Sequence, residues 1–179
     1  MSAEVFPQSH FGEIGDFNFL PLSSYRGIFG VGPISIFLSM ERIMTKSVLF
    51  VCYGNACRSV MAEALARHHW GEKLEVASAG LSALGYIPEE TIKVLEEVGV
   101  STQGLYSKGL GEIEIDGYQL ILDLAAYPLE DMLPASFTGR VLHWLVRDPF
   151  QDSLDAFRQT RNAIEWLVTE KLPDWIYGE

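Results

Sequence analysis

Between the apolar run Val48-Leu49-Phe50-Val51 and an alanine-rich segment from Ser59 to Ala66 lies the octapeptide Cys52-Tyr53-Gly54-Asn55-Ala56-Cys57-Arg58-Ser59. Nothing else in the chain constrains the fold as much, because it reads as strand, turn and helix in immediate succession. A short apolar run bounded by turn residues is a buried strand, and Met61, Leu65 and His68 or His69 recur at helical spacing. In the turn, successive backbone N–H groups can point inward while the positive end of the helix faces the same point, which makes a cradle for a tetrahedral oxyanion. Gly54 permits the tight backbone, and Asn55 tolerates a left-handed conformation while its side chain braces the loop. Arg58 adds a planar fork suited to two anion oxygens. The same surroundings act on Cys52: a thiol that ordinarily titrates at about 8.5 falls to roughly 3.5–7.5 at helix N-termini or beside cations. Ser59 is placed to donate a hydrogen bond to its sulfur.

Beyond the loop, strands and helices alternate. Leu74 to Ser78 reads as a second strand, Tyr118 to Leu122 as a third and Arg140 to Val146 as a fourth. Pro88 opens a helix with Glu89 and Glu90 in its first turn and Ile92, Leu95 and Val98 on one face, and Gly99 stops it. Asp152 or Ser153 caps the last helix, whose Leu154, Phe157, Ile164, Leu167 and Val168 face inward until Pro173 ends it. The expected fold is α/β: a single three-layer domain, with a four-stranded parallel sheet and helices on both faces.

Composition fits a single-domain enzyme. The 179 residues are 48% hydrophobic, enough for a core, and the two cysteines lie too close together for a disulfide framework, so a reducing cytoplasmic compartment is expected. The net charge of −11 disfavours nucleic acid and anionic membrane surfaces as partners. His10, His68, His69 and His143 form no ligand spacing and read as surface or packing residues. Cys52 and Cys57 lack a second Cys or His pair for zinc. No metal or cofactor is expected.

Residue types alone permit plainer readings. A cysteine ending a buried strand is usually inert packing, and Asp-Pro is common in turns. The octapeptide alters the first of these. Position alters the second, since Asp148 follows the apolar run Val141 to Val146 and would emerge at the carboxyl edge of a parallel sheet, where ligands bind.

Val48 to Ala64, with its Cys-x5-Arg-Ser core, resembles the phosphate-binding loop of the low-molecular-weight protein tyrosine phosphatase family, which includes arsenate reductases. Ser78-Ala79-Gly80-Leu81, Ser107-Lys108 and Asp148-Pro149-Phe150 continue the resemblance in order, over about residues 46 to 170. It implies a Rossmann-like domain of the phosphatase I type over residues 46–172, followed by a tail at 173–179. It also implies that Cys52 is the nucleophile, Arg58 the transition-state clamp and Asp148 the general acid, with Tyr53, Gly54, Asn55, Ala56, Cys57 and Ser59 around the phosphate. Phe150 either lines the pocket mouth or packs. In that family a second cysteine can trap the oxidised nucleophile as a disulfide; for Cys57 a filler role stands equally open.

Three functions follow. The leading one is hydrolysis of phosphotyrosine in phosphorylated proteins through a phosphocysteine, with protein-arginine phosphatase as a close variant. Ala56 leaves the pocket undecided between them, and Gln151 stands where a second aromatic would favour tyrosine. The second is arsenate reduction, to whose branch Ser78-Ala79-Gly80-Leu81, Ser107-Lys108 and His143-Trp144 are similar. Ala125 stands about where thioredoxin-coupled members carry a cysteine, so electrons would come from an external thiol partner. The third is a binder without turnover, for which Val60 and Ala125 depart from the enzyme pattern.

Residues 1–43 mix Gly, Pro, Ser and aromatics without period. The run from Gly27 to Ser39 is shorter than the about 20 apolar residues a membrane span needs, and acidic residues precede it where a signal peptide carries positive charge. The segment is expected to be a disordered or docking extension, or to precede a true start at Met40 or Met44.

Overall fold

The computed structural model describes residues 46–125 and 127–178; the expectations for residues 1–43 lie outside them. Strand β1 (Lys46–Cys52) pairs in parallel with β2 (Leu74–Gly80) on one side and β3 (Leu120–Asp123) on the other, and β4 (Arg140–His143) pairs in parallel with β3. The order is β2-β1-β3-β4. The central place of β1 follows from its unbroken apolar run, which needs cover on both faces. Val48, Phe50 and Cys52 enter one core, and Leu49 and Val51 the other.

Helices flank both faces among the described residues, but they differ in kind. The first core is closed by α1 (Arg58–Trp70), α2 (Glu89–Glu96) and α3 (Leu154–Trp166), which contribute Met61, Leu65, Val94, Leu95, Phe157 and Ile164. The second is closed by short 3-10 turns, with Leu110, Ile115 and Leu129 packed on Leu49, Val51 and Ile121.

The departures from the sequence reading have local causes. Helix α1 is buried on every side from Arg58 to Ala66, so it has no single apolar stripe, and His68 and His69 are exposed past the buried stretch. Helix α2 buries Thr91, Val94 and Leu95, while Ile92 is half-buried and Val98 exposed. Gly99 takes φ 75° there, and the Val100 N–H reaches the Leu95 carbonyl at 3.1 Å, a closure that turns Val100 rather than Val98 into the core. Tyr118 stays outside β3 because its N–H is taken by the Ile115 carbonyl at 3.0 Å. Strand β4 stops at His143, not Val146, since β3 offers its last acceptor, the Asp123 carbonyl, to Trp144 N at 2.8 Å.

Pro173 does not end the last helix. The chain widens into a π turn at Leu167–Lys171 and resumes as α4 (Leu172–Tyr177), with Pro173 in its first turn and the Val168 carbonyl taken by Trp70 Nε1 at 3.1 Å. Leu172 is consequently buried, and so is Ile176 in the segment after Pro173. At the other end of this helical path Ser153, not Asp152, caps α3, its Oγ accepting from Ala156 N at 3.3 Å. Ser153→Ala is expected to remove about 1 kcal/mol of stability, read as a lower urea midpoint at unchanged slope. An unchanged midpoint would mean that this oxygen caps nothing.

Candidate active site

All four strands are parallel, so Cys52, Gly80, Asp123 and His143 finish at one edge of the sheet. From that edge residues 53–57 loop over to α1. The loop's carbonyls point away from its centre and are occupied: Cys52 O by Leu81 N at 3.1 Å, Tyr53 O by Ser82 N at 2.8 Å, Gly54 O by Leu84 N at 2.9 Å, and Cys57 O by Met61 N at 2.9 Å. Ser107 Oγ adds a second donor to Gly54 O, and Thr91 Oγ1 donates to Ala56 O at 3.0 Å. A trans peptide carries its N–H opposite its C=O. The amides of Tyr53, Gly54, Cys57 and Arg58 are therefore turned the other way, on the side of a cavity of about 200 Å³ that these residues line.

That cavity is lined by Cys52, Tyr53, Gly54, Ala56, Cys57, Arg58, Leu84, Asp148 and Phe150. The tertiary structure thus brings together every residue expected at the site except Asn55 and Ser59, which lie buried beneath it. Leu84 was not foreseen: it sits in a segment without a motif and arrives through its N–H bond to Gly54. It also explains Gly54. A Cβ there would meet Leu84 Cγ at 3.0 Å, so a close approach, not a left-handed backbone, disfavours larger residues. Asn55 does take the left-handed region, with φ 42°.

Beneath the cavity runs a buried polar chain. Lys108 Nζ and Ser78 Oγ both donate to Glu63 Oε2, the former at 3.2 Å, and Arg67 donates to the other carboxylate oxygen. Asn55 Nδ2 donates to Ser78 Oγ and to Ser59 Oγ, both at 2.8 Å, while its Oδ1 accepts from Lys108 N at 2.8 Å. Ser59 Oγ, which accepts from Asn55, lies 3.0 Å from Cys52 Sγ, a hydrogen bond that either group can donate, and donates to the Ala79 carbonyl at 3.4 Å. Burial pushes the Cys57 thiol up to about 12, so it stays protonated at neutral pH. Both cysteines are free and buried.

Arg58 is held from above. Its Nη1 donates to the carbonyls of Leu124 at 3.1 Å and Val146 at 3.4 Å, and Nη2 donates to the Asp148 carboxylate. Asp148 therefore lies on the same edge as Cys52, as its place after β4 implied. Its Oδ1 also accepts from Phe150 N at 3.2 Å, which fixes the turn that carries the Phe150 ring to the pocket. His143 is more than a packing residue, for it bridges Asp123 and Glu130. Among the described residues no His, Cys, Asp and Glu cluster is arranged to hold a metal, and no helix is long and apolar enough to cross a membrane.

Fold and site together define an α/β protein with a Cys-x5-Arg loop at the carboxyl edge of a parallel sheet. The family model described as low molecular weight phosphotyrosine protein phosphatase matches residues 47–174, and the chain belongs to that family. A glutaredoxin arsenate reductase of Synechocystis sp. is 32% identical over 124 residues, covering 69% of this chain and 93% of that protein. Arsenate reductase 1 of Bacillus cereus is 33% identical over 121 residues, covering 66% and 88%. Among solved structures, an arsenate reductase in the phosphate binding state superposes with TM-score 0.65 at 32% identity, over 74% of this chain and all but 1% of that one (99% covered). A tyrosine phosphatase of Erwinia amylovora gives 0.64 at 28%, over 72% and 92%.

Two substitutions probe the support of the loop. A Cβ at Gly80 would come within 2.8 Å of Asn55 N and 2.9 Å of Tyr53 O, so Gly80→Ala is expected to cost about 1–3 kcal/mol and to weaken phosphate binding. Wild-type phosphate affinity in that variant would show that the loop is free to move. Lys108→Met strips a buried carboxylate of one partner and is expected to cost on the order of 3 kcal/mol, with Glu63→Gln added to it restoring most of the loss. A single variant that melts with the wild type would refute the pair's structural role.

Proposed function

We propose that the protein is a cysteine-dependent phosphatase that hydrolyses phosphotyrosine monoesters through a phosphocysteine. The observation that carries this is the stack of Cys52, Arg58 and Asp148 around one cavity, with Arg58 Nε buried and without a hydrogen-bond partner among the described residues. An incoming phosphate takes the Arg58 fork and frees Asp148. Asp148, released from Arg58, takes up a proton from solvent; the Cys52 thiolate then attacks phosphorus as the P–O bond breaks, and Asp148 gives that proton to the departing oxygen. Water then attacks phosphorus, the S–P bond breaks, and the Asp148 carboxylate takes the proton that water releases. Charge on the equatorial oxygens is met by the loop amides and Arg58, aligned before the reaction begins.

Tyr53, Leu84 and Phe150 on the cavity wall favour an aryl group over the thin, charged chain of phosphoarginine. With a net charge of −11, neutral or basic phosphoprotein segments suit the protein better than acidic ones. The two unpaired cysteines support a cytoplasmic location. For Cys57, the protonated thiol weighs toward packing over rapid disulfide exchange, which needs thiolate.

The relatives named above support arsenate reduction as the second reading. Cys52 would displace a hydroxyl from arsenate to form an S–As bond. An external thiolate would attack the Cys52 sulfur, passing the bonding pair to arsenic as arsenite leaves, and a second external thiol would reduce the mixed disulfide. Both thiols are external because the chain's cysteines are Cys52 and Cys57 and none follows β3, where an internal relay would stand.

A side-by-side assay of phosphotyrosine, phosphoarginine and arsenate with a glutaredoxin or low-molecular-weight thiol system separates these readings. Phosphate release from phosphotyrosine is expected to vanish in Cys52→Ser and to fall about 10²–10⁴-fold in Asp148→Ala. Turnover that survives Cys52→Ser would end the phosphatase assignment, and arsenite formation without phosphate release would replace it with the reductase.

A further inference from the structure

His143 ends β4 with both ring nitrogens facing carboxylates: Nδ1 lies 3.0 Å from Asp123 Oδ2 and Nε2 lies 2.9 Å from Glu130 Oε1. Ionised carboxylates only accept hydrogen bonds, and an imidazole carries a proton on both nitrogens only when it is charged. A neutral ring would turn a lone pair toward one of the two. The arrangement is built around imidazolium.

What this pairing holds is the segment leading to the pocket lip. Asp123, 1% exposed at the end of β3, accepts from Ala125 N at 2.8 Å and from Tyr127 N at 3.0 Å as well as from His143. Glu130 lies in the 3-10 turn Leu129–Met132, whose Leu129 is in the core. Between these two fastenings stands Tyr127, whose ring lies 5.6 Å from the ring of Tyr53 at 31°. Tyr53 follows Cys52 and lines the cavity. Tyr127 itself does not line it.

We propose that Asp123, His143 and Glu130 form a clasp that positions the aromatic lip of the pocket, Tyr127 acting through Tyr53, so that aryl-bearing ligands are favoured while His143 is charged. The inference rests on the phosphatase reading only in taking the Cys52 loop as the seat of the oxyanion. His143 and Tyr127 are positioning residues: neither lines the cavity. Among the described residues the charged groups facing His143 are Glu130 and Asp123, and both raise its proton affinity above that of an ordinary histidine. A raised value means that the clasp is complete below the usual imidazole range and is lost as pH rises through the folded-state value.

The test compares two ligands with the same head group, phenylphosphonate and methylphosphonate, whose dissociation constants are measured by calorimetry on the full chain at about pH 5.5 and about pH 8.5. Taking the ratio cancels the effects of Arg58, Cys52 and Asp148 on the shared head group. In the wild type the preference for the phenyl ligand is expected to fall by about two- to twelvefold across this interval, the range an aromatic pair supplies. In His143→Gln it should lose that pH dependence, a comparison that also cancels ionisation of the ligands themselves. Tyr127→Ala should show the weakened preference at both pH values, and Tyr127→Phe should behave as the wild type. A wild-type ratio insensitive to pH, an unchanged ratio in Tyr127→Ala, or full pH dependence in His143→Gln would each overturn the proposal. If neither phosphonate binds, this proposal and the phosphatase reading fall together. If both bind normally but aryl phosphate is not turned over, only the phosphatase reading falls.

Discussion

The site depends on where the loop's carbonyls go. Each carbonyl that points outward is held by a donor from another part of the chain: the segment after β2, Ser107, the first turn of α2 or α1 itself. Only with those acceptors occupied can the opposite sides of the same peptides present N–H groups to one point, since an unpaired buried carbonyl would otherwise compete for them. The α/β scaffold is thus a frame that keeps a short stretch of backbone inside out, and the cavity beside Cys52 is the result.

Charge follows the same plan. Arg58, Glu63, Lys108 and Asp123 are all buried around the carboxyl edge, and each is matched: Arg58 by two carbonyls and Asp148, Glu63 by Lys108 and Arg67, Asp123 by two amides and His143. Burying an unmatched ion is prohibitive, so these pairs specify geometry more than they add stability. Arg161 is a further buried cation: it ties α3 to the Val94 carbonyl of α2 at 2.7 Å and lies 3.6 Å from Glu97 Oε2. In a chain of net charge −11, the positive potential an oxyanion needs is local, made by Arg58, aligned amides and a helix terminus.

Much of this was legible in the residues. The run Val48 to Val51 read as a buried strand because both of its faces are apolar, and the strand-turn-helix order put Cys52 and Arg58 at a helix start. Asp148 was placed by the rule that parallel strands gather ligands at one edge. Less legible were elements whose ends are decided by a partner: β4 stops where β3 runs out of acceptors, and α2 buries Val94, with Val100 following beyond its end, because α3 and a Gly99 turn lie where they do. Pro173 misled because a helix stop and the first turn of a new helix look alike in sequence.

From its residues alone the chain determined its α/β class with parallel strands, its anion loop and the chemistry of the side chains at it, because periodicity, glycine and proline placement and the Cys-to-Arg spacing act over a few neighbours. Tertiary structure decided what surrounds that loop: Leu84 on the wall, Glu63 and Lys108 beneath, His143 between two carboxylates and Tyr127 against Tyr53. Those contacts join residues tens of positions apart, and their geometry exists only once four strands have been set in register, so no local pattern could carry it.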